Sequence, residues 1–178
     1  ASCSTFVDGR LANEKTDRSL AIGEIVVYSK GKNPRQFPSQ LRFFDVVNTI
    51  SRDRTRVSVE KQEGAFSVPL EPGQYKVVRI QINEGPFMAE SHVAWSFNMK
   101  SNAVTYIGKW ELEVDTPRTE RMVRLKVSED RSSWNAIIEA EPELKSKAVV
   151  HSLAESVEDT TRLYAVAPNP KIKYFYRR

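Results

Sequence analysis

Apolar and polar residues alternate at period two in several segments of the chain. Residues 93–99, 104–114 and 123–127 each place an apolar side chain at nearly every second position. This alternation predicts strands with one face in a core, and three such strands in succession predict an antiparallel sheet. Residues 20–28 are apolar on both faces, and residues 40–48 carry a similar apolar run. We expect the segment 20–28 to be a central strand.

The strongest turn signal lies between residues 66–70 and 75–82. Phe66, Val68 and Leu70 give the first segment one apolar face, and Pro72-Gly73 occupies the two central positions of the turn before the second segment. Proline presets φ and glycine accepts a positive φ, as a type II turn requires. We therefore predict that the two segments form a hairpin. Pro69 cannot donate to a strand ladder, which predicts an edge strand or an outward-facing position for that residue.

The period changes after Asp130. Trp134, Ile137 and Ile138 recur at helical spacing behind polar residues that can cap a helix. This pattern predicts one or two short helices near residues 131–155. The apolar stripe expected for the second helix consists of Leu144, Ala148, Val149 and Leu153.

Together these patterns predict a mainly β protein with one domain over residues 20–178. A helical insertion and a basic, aromatic tail lie near the C-terminal end of this domain. Residues 1–19 lack an apolar period and are predicted to be a flexible tether. The 178 residues suffice to bury a core without a disulfide or a metal. We expect no membrane span, because no apolar stretch approaches the ~20 residues that one requires.

The formal net charge of +4 raises the question of a nucleic-acid partner. Residues 169–178 hold four of the 27 lysines and arginines and none of the 23 acidic residues, so the rest of the chain is balanced. A nucleic-acid binder needs a basic face on its folded body. The other candidate is the run Arg-Asp-Arg-Thr-Arg at 52–56, for which a solvated turn and strand start is the favoured explanation. We predict no nucleic-acid partner.

Residues 64–77 read Gly-Ala-Phe-Ser-Val-Pro-Leu-Glu-Pro-Gly-Gln-Tyr-Lys-Val. They resemble the G-x-F…L-x-P-G-x-Y-x-V hairpin of carboxypeptidase-regulatory-like and transthyretin-like domains, and small bacterial envelope lipoproteins carry similar hairpins. Tyr106-Ile107-Gly108 is also similar to a segment common in such lipoproteins. The resemblance implies an antiparallel Ig-like or transthyretin-like β-sandwich and brings no catalytic residues with it. Because this fold hosts unrelated roles, it implies little about function.

The single cysteine is Cys3, so the chain can form no internal disulfide and no cysteine-rich metal site. Ala1-Ser2-Cys3 resembles the end of a bacterial lipobox, in which the cysteine becomes lipid-modified after signal cleavage. Lipidation of Cys3 is one hypothesis, and a chance cysteine in a frayed terminus is the other. By the usual lipoprotein sorting pattern, Ser4 after the cysteine favours the outer membrane.

Residues that could perform catalysis are sparse. His92 and His151 are the two histidines, and neither belongs to a paired metal-ligand motif. We expect His92 on the polar face of its strand and His151 on a surface helix, without the Gly-x-Ser-x-Gly turn of a hydrolase. The seven glycines form no phosphate-binding loop. These patterns predict no enzyme activity, no cofactor and no metal.

Three aromatic residues are candidates for contact with a ligand. Trp95, Tyr106 and Trp110 could form a stacking platform for a sugar, as in a carbohydrate-binding module. The alternation, however, places all three on the apolar side of their strands. That position favours packing in the core over binding.

The C-terminal tail is a second candidate for contact. Tyr174, Arg177 and Arg178 combine an aromatic ring with cations. Such a segment could touch an anionic membrane surface or a groove on a partner. It could also be a last strand whose cations face water and protect an edge, which is the interpretation we favour.

The function predicted from the sequence is that of a non-catalytic lipoprotein of the bacterial cell envelope. It would serve as a binding or structural module, anchored in the outer membrane and facing the periplasm or the cell surface. Its partner would be another envelope protein or a cell-surface component, and it would touch the membrane through its lipid anchor alone. The alternative is a secreted or periplasmic β-sandwich that binds carbohydrate or peptide. An enzyme of unfamiliar design is a third and weaker hypothesis.

Overall fold

The computed structural model describes residues 19–31, 37–115, 120–140, 142–156 and 158–166. These residues form eleven strands, the helix α1 (Arg131–Ala140) and a 3-10 helix (Pro142–Ser146). The strands are β1 (Ser19–Ser29), β2 (Gln40–Asn48), β3 (Arg54–Lys61), β4 (Glu63–Leu70), β5 (Gly73–Glu84), β6 (Phe87–Met99), β7 (Ala103–Val114), β8 (Arg121–Ser128), β9 (Ala148–His151), β10 (Glu155–Ser156) and β11 (Thr160–Val166). The mainly β fold and the short helices near residues 131–155 are confirmed.

All strands of the described residues belong to one sheet that curls into a nearly closed barrel. The strand order is β3-β2-β5-β6-β11-β8-β7-β1-β4, with β10 paired to β6 and β9 paired to β7. The end strands β3 and β4 follow one another in the chain and meet at Gln62, whose carbonyl accepts a hydrogen bond from Val27 N at 2.7 Å. Since β11 pairs with both β6 and β8, it joins the two halves of the sheet. An Ig-like sandwich stays a prediction.

The turn at Pro72-Gly73 does not join paired strands. Among the described residues β4 pairs with β1, whereas β5 pairs with β2 and β6. The predicted hairpin is therefore wrong, although the chain does turn at residues 71–72 and Gly73 has a φ of 146°. The apolar faces of β4 and β5 both point into the main core, so the turn carries the chain from one side of the core to the other.

The predicted central strand is confirmed. β1 lies between β4, which is antiparallel to it, and β7, which is parallel to it. Pro69 of β4 is exposed and lies opposite Leu20 of β1. Among the described residues β4 is the last strand in the sheet order, so it is an edge strand. Pro69 therefore lies on an edge strand, as its missing N–H predicts.

Of the three successive alternating strands, only the last two are neighbours in the sheet. β7 and β8 are antiparallel neighbours, as predicted. β6 instead pairs with β5, β10 and β11, and no ladder joins it to β7 within the described residues. The alternation shows which side of a strand is apolar, but strands from opposite walls of a barrel share one core and need not be adjacent.

Four aromatic rings fill the centre of the barrel. The Trp110 ring lies 5.1 Å from Phe44, 5.3 Å from Phe66 and 5.2 Å from Trp95 between centroids, two of these pairs being edge-to-face. Trp110 Nε1 donates to Ile107 O at 3.1 Å, which satisfies its buried N–H. Each such ring pair contributes about 0.5–1.5 kcal/mol beyond the burial of its area.

Gly108 interrupts the alternation of β7. It has a φ of 101°, and the register of β7 against β1 shifts at the same level. Ile107 and Trp110 lie in the main core, whereas Tyr106 packs in a second cluster. The prediction that Tyr106 and Trp110 share one side of the strand is therefore wrong. A glycine with a positive φ allows a bulge, and a bulge moves every later side chain to the opposite face.

Asp130 caps α1, as the sequence indicates. Its Oδ1 accepts hydrogen bonds from Ser132 N at 3.0 Å and Ser133 N at 3.3 Å. Trp134 and Ile137 then pack against the second cluster. This cluster consists of Ile22, Val104, Tyr106, Ile137 and Leu144, with six partly buried neighbours.

The second helix is shorter than predicted. The 3-10 helix ends at Ser146, and β9 pairs in parallel with residues 103–106 of β7. The predicted helical stripe that reaches Leu153 is therefore wrong. β8 pairs with β7 only from Lys109 onward. The backbone groups at the start of β7 therefore need another hydrogen-bonding partner, and β9 is that partner.

The predicted tether and tail fall almost wholly outside the described residues. Ser19 is the exception, since it begins β1, is fully buried and donates a hydrogen bond from Oγ to Lys100 O. In the parts of the chain that the structure describes, no helix is both long and apolar enough to cross a membrane.

Candidate anion-binding face

Asp45 lies in the middle of β2 on the side of the sheet that points away from the core. Its chain neighbours Phe44 and Val46 belong to the core, so the alternation of the strand turns Asp45 outward. Arg56 of β3 pairs with it on one side and Arg79 of β5 on the other. The short turn between β2 and β3 is what returns the arginine-rich segment alongside Asp45.

Three arginines converge on this carboxylate. Arg54 Nη2 lies 2.7 Å and Arg79 Nη2 2.8 Å from Asp45 Oδ2, and Arg56 Nε lies 2.9 Å from Asp45 Oδ1. We call Arg54, Arg56 and Arg79 around Asp45 the arginine cluster. The Asp45 side chain is 1% exposed, so the guanidinium groups replace the water that its charge requires.

The cluster keeps Asp45 ionised. Burial by itself would raise the pKa of the Asp45 carboxyl group, but hydrogen bonds from Arg56 and Arg79 and the charge of Arg56 outweigh it and lower that pKa below its usual value. The hydrogen bond to Asp45 is also the main reason why the pKa of the Arg56 guanidinium is raised. Both groups are therefore charged at neutral pH.

Two of the arginines stack their guanidinium groups over the ring of Phe43. The guanidinium carbon of Arg56 lies 3.9 Å and that of Arg79 5.4 Å from the centroid of the Phe43 ring. Phe43 is buried, although it shares the outer side of β2 with Asp45. A cation over an aromatic ring contributes about 0.5–1 kcal/mol at an exposed site. The ring and the carboxylate together hold the guanidinium planes in place.

The arginine cluster has more positive charge than its carboxylates neutralise. Arg79 Nη1 also lies 3.3 Å from Glu90 Oε2, so three arginines face two carboxylates. The Arg54 and Arg56 side chains are each 50% exposed. Arg54 donates one hydrogen bond to Asp45, and Arg56 donates two. A guanidinium has five N–H donors, and two of them fit a carboxylate or phosphate at once. The cluster can therefore accept an anionic group from outside.

The aromatic residues singled out from the sequence lie elsewhere. Trp95 is 1% exposed, and Trp110 and Tyr106 are fully buried. Tyr106 also donates from its hydroxyl to Asp130 O at 3.4 Å beneath α1. None of the three presents a ring face to solvent, and the structure does not bring them together with the arginine cluster.

The two histidines lie on different strands and have different neighbours. His92 is exposed on the outer side of β6, opposite Arg79, as its position in the alternation predicts. His151 ends β9, so its predicted place on a helix is wrong; its Nδ1 lies 3.0 Å from Glu129 Oε1. Over the described ranges no three histidine, cysteine or acidic side chains are grouped to hold a metal ion.

The remaining predicted site residues lie outside the described residues. They are Cys3, Tyr174, Arg177 and Arg178. Lipidation of Cys3 and contact through the tail therefore stay predictions.

Asp45 and Arg79 are the residues that sequence reasoning missed. The signal was an aspartate inside the apolar run 40–48, followed closely by arginines at alternate positions 54 and 56. Alternation places such side chains on one outer face if the two segments form adjacent strands. Arg79 reaches Asp45 because β5 pairs with β2. The predicted hairpin paired β5 with β4 instead, so it gave no reason to place Arg79 beside Asp45.

Comparison with known proteins does not assign a family. No family model, no curated protein and no solved structure matches this chain. We therefore infer the function of this chain from the geometry of the arginine cluster.

Proposed function

We propose that this chain is a non-catalytic binding module of the bacterial cell envelope whose arginine cluster holds an anionic group of its partner. The observation that carries this proposal is that Arg54 and Arg56 stay half exposed while they share Asp45 with Arg79. Asp45 and Phe43 fix the guanidinium groups before a ligand arrives, which lowers the entropic cost of binding. The partner is another envelope protein or a cell-surface component that carries carboxylate or phosphate groups.

Binding of labelled inorganic polyphosphate, followed by fluorescence anisotropy, tests the site. The double variant Arg54→Gln/Arg56→Gln should weaken binding by about tenfold or more, because it removes the two exposed charge-assisted donors. Added salt should weaken binding to the wild type, since exposed charges are screened within about 10 Å at 0.1 M. Arg79 stays on Asp45 in this variant, and an unchanged melting temperature would show that the fold is retained.

A control variant separates the site from the overall charge. Lys126→Gln/Lys145→Gln removes the same charge from two exposed lysines on β8 and the 3-10 helix. The proposal expects this control to bind almost as the wild type does. If both double variants lose the same affinity, attraction to the net charge explains the binding and the proposed site is wrong.

Anchoring through Cys3 is the second part of the proposal. It is supported by the resemblance of Ala1-Ser2-Cys3 to a lipobox end. The test is incorporation of an alkyne-labelled fatty acid into the protein expressed with its natural upstream sequence, with Cys3→Ser as the control. Label that depends on Cys3 supports the lipoprotein. An unlabelled wild type supports the alternative, a secreted or periplasmic module that uses the same face for carbohydrate or peptide.

Kinship with carboxypeptidase-regulatory-like and transthyretin-like domains is the third part. It is supported by the motif at residues 64–77 and by a core enclosed between β2, β3, β5 and β6 on one side and β1, β4, β7 and β8 on the other. An experimental structure in which β3 and β4 are paired along their length would describe a closed barrel and contradict an Ig-like sandwich.

A further inference from the structure

A polar cleft opens on the same face of the sheet as the arginine cluster. Its volume is about 360 Å³. The side chains that line it come from β2, β3, β5 and β6, and they include Gln40, Arg42, Glu60, Asn83 and Met88. Along β5, Arg79, Gln81 and Asn83 alternate with the core residues Ile80 and Ile82, so the cleft and the arginine cluster lie on one outer face.

The backbone is irregular at three points around this cleft. Arg42 is the extra residue where β2 shifts its register against β5, whereas against β3 the extra residue lies on β3, where Val59 and Glu60 face Arg42. Glu60 has a φ of 51°, which is rare for a residue with a side chain. Gly85 has a φ of 59°, and a Cβ there would lie 2.5 Å from the Phe37 ring. A bulge redirects a side chain, and strained backbone positions cluster at functional sites.

Polar groups in the cleft have unused capacity for hydrogen bonds. Arg42 Nη1 contacts Met88 Sδ at 3.4 Å, and sulfur is a weak acceptor. Within the described residues no carboxylate lies within ion-pair distance of Arg42, although Glu60 lines the same cleft. Among the residues that the structure describes, Asn83 Oδ1 is buried without a hydrogen-bond partner. The cleft thus offers the Arg42 guanidinium to an anion and the exposed Glu60 carboxylate to hydroxyl groups.

The distance between the cleft and the arginine cluster fits one extended ligand. Arg79 and Asn83 lie four residues apart on β5, which corresponds to ~13 Å at about 3.3 Å per residue. A ligand that reaches both must carry negative groups and hydroxyl groups in succession. A chain of phosphates offers acceptors alone and has no donor for the Glu60 carboxylate, whereas an acidic sugar carries hydroxyl donors beside its own carboxylate.

We propose that the cleft is a sugar subsite, and that it extends the arginine cluster into a binding face for acidic oligosaccharides that contain uronic acid. In this arrangement Arg42 binds a carboxylate of the sugar, while Glu60 accepts hydrogen bonds from its hydroxyl groups. The inference rests on the proposed function, because it identifies the chemical class of the partner that the arginine cluster holds.

Calorimetric titration with a defined oligogalacturonate, a neutral oligogalactan of equal length and inorganic polyphosphate tests this subsite. The expected result is that oligogalacturonate binds and oligogalactan does not. Arg42→Met keeps the apolar stem and removes the cation. It should weaken oligogalacturonate binding by about tenfold, the scale of one lost charge-assisted contact, and change polyphosphate binding by less than about twofold. Glu60→Gln should weaken oligogalacturonate binding and leave polyphosphate binding equal or stronger.

Controls make the outcomes distinct. Lys126→Met on β8 removes one exposed charge away from the face and should affect neither ligand. Equal loss of both anionic ligands in Arg42→Met, or tighter binding of the neutral oligosaccharide, would overturn the sugar subsite. The proposed anion binding by the arginine cluster is tested separately. It would be wrong if Arg54→Gln/Arg56→Gln left polyphosphate binding unchanged.

Discussion

Asp45 and Arg79 face each other across the ladder between β2 and β5, and their contact is the most buried one in the arginine cluster. Arg79 Nη2 lies 2.8 Å from Asp45 Oδ2, and the two side chains are 24% and 1% exposed. Arg79 also reaches Glu90 of β6, so one guanidinium links three neighbouring strands. Asp45 therefore stabilises the sheet as well as positioning the arginines that we propose as a binding site.

Replacement of Asp45 by asparagine should destabilise the protein. The variant Asp45→Asn keeps the shape of the side chain but leaves three guanidinium groups without their carboxylate. We expect the free energy of unfolding to fall by about 1–3 kcal/mol, measured by urea denaturation. Asp159→Asn changes an exposed aspartate and should stay within about 0.5 kcal/mol of the wild type. Equal stability of the two variants would contradict a structural role for the Asp45 carboxylate.

The contribution of Asp45 should depend on pH. The pKa of Asp45 lies below its usual value of 3.8 in the folded protein, so the folded state binds a proton less readily than the unfolded state. The stabilisation is therefore present above about pH 3.8 and is lost as the pH falls through the folded pKa. The difference in free energy of unfolding between wild type and Asp45→Asn should be constant near neutral pH and shrink below pH 3.8. A difference that grows on acidification would show that this assignment has the wrong sign.

Alanine at Gly108 should be costly because the bulge in β7 has no room for a side chain. A Cβ at this position would lie 2.7 Å from Val127 Cγ1, and the φ of 101° is unfavourable for alanine. We expect Gly108→Ala to lower the free energy of unfolding by about 2 kcal/mol or more. Gly64→Ala shares the strained φ but its Cβ approaches only Lys61 Cδ, at 3.6 Å, so about 1 kcal/mol is expected there. Equal costs would mean that crowding at Gly108 is unimportant.

The burial of two tryptophans can be checked by fluorescence quenching. The chain has three tryptophans, of which Trp95 and Trp110 are buried in the main core and Trp134 is partly buried on α1. In the variant Trp134→Phe, acrylamide should therefore quench the remaining emission only weakly. Quenching close to that of free tryptophan would place a ring at the surface and restore the possibility of a sugar platform.

Loss of the helix cap should affect α1 through hydrogen bonds rather than through charge. Hydrogen bonds from Ser132 and Ser133 are the main reason why the pKa of Asp130 is well below its usual range. Asp130→Ala should lower the free energy of unfolding by about 1 kcal/mol, whereas Asp130→Asn retains the capping oxygen and should cost less. If asparagine costs as much as alanine, the ion pair with Lys109 at 3.5 Å is the more important contact.

The local features of this fold could be predicted because they depend on neighbouring residues. Alternation and apolar runs together indicated most of the long strands, and the capping residues located the start of α1 at Asp130. Pro69 indicated an edge strand because proline has no N–H to donate. The burial of Trp95 and Trp110 followed from their positions on apolar faces.

The site was less predictable because its residues come from three strands. Arg54 and Arg56 are close in sequence to Asp45, and without the structure a solvated turn and strand start was the favoured explanation for them. Their role appears only when β3 is paired with β2 and β5 brings Arg79 to the other side. Side chains that bind one carboxylate from separate strands leave no spacing motif in the sequence.

The sequence by itself determined the β composition, the apolar faces, the edge proline and the beginning of the helix. Only the tertiary structure decided that β4 and β5 turn at Pro72-Gly73 without pairing, that β1 and β7 run parallel, and that Gly108 moves Tyr106 out of the main core. The physical reason is that alternation fixes which side of a strand avoids water, whereas strand partners are chosen by backbone hydrogen bonds between distant segments. The arginine cluster depends on those partners, so the structure alone brings it together.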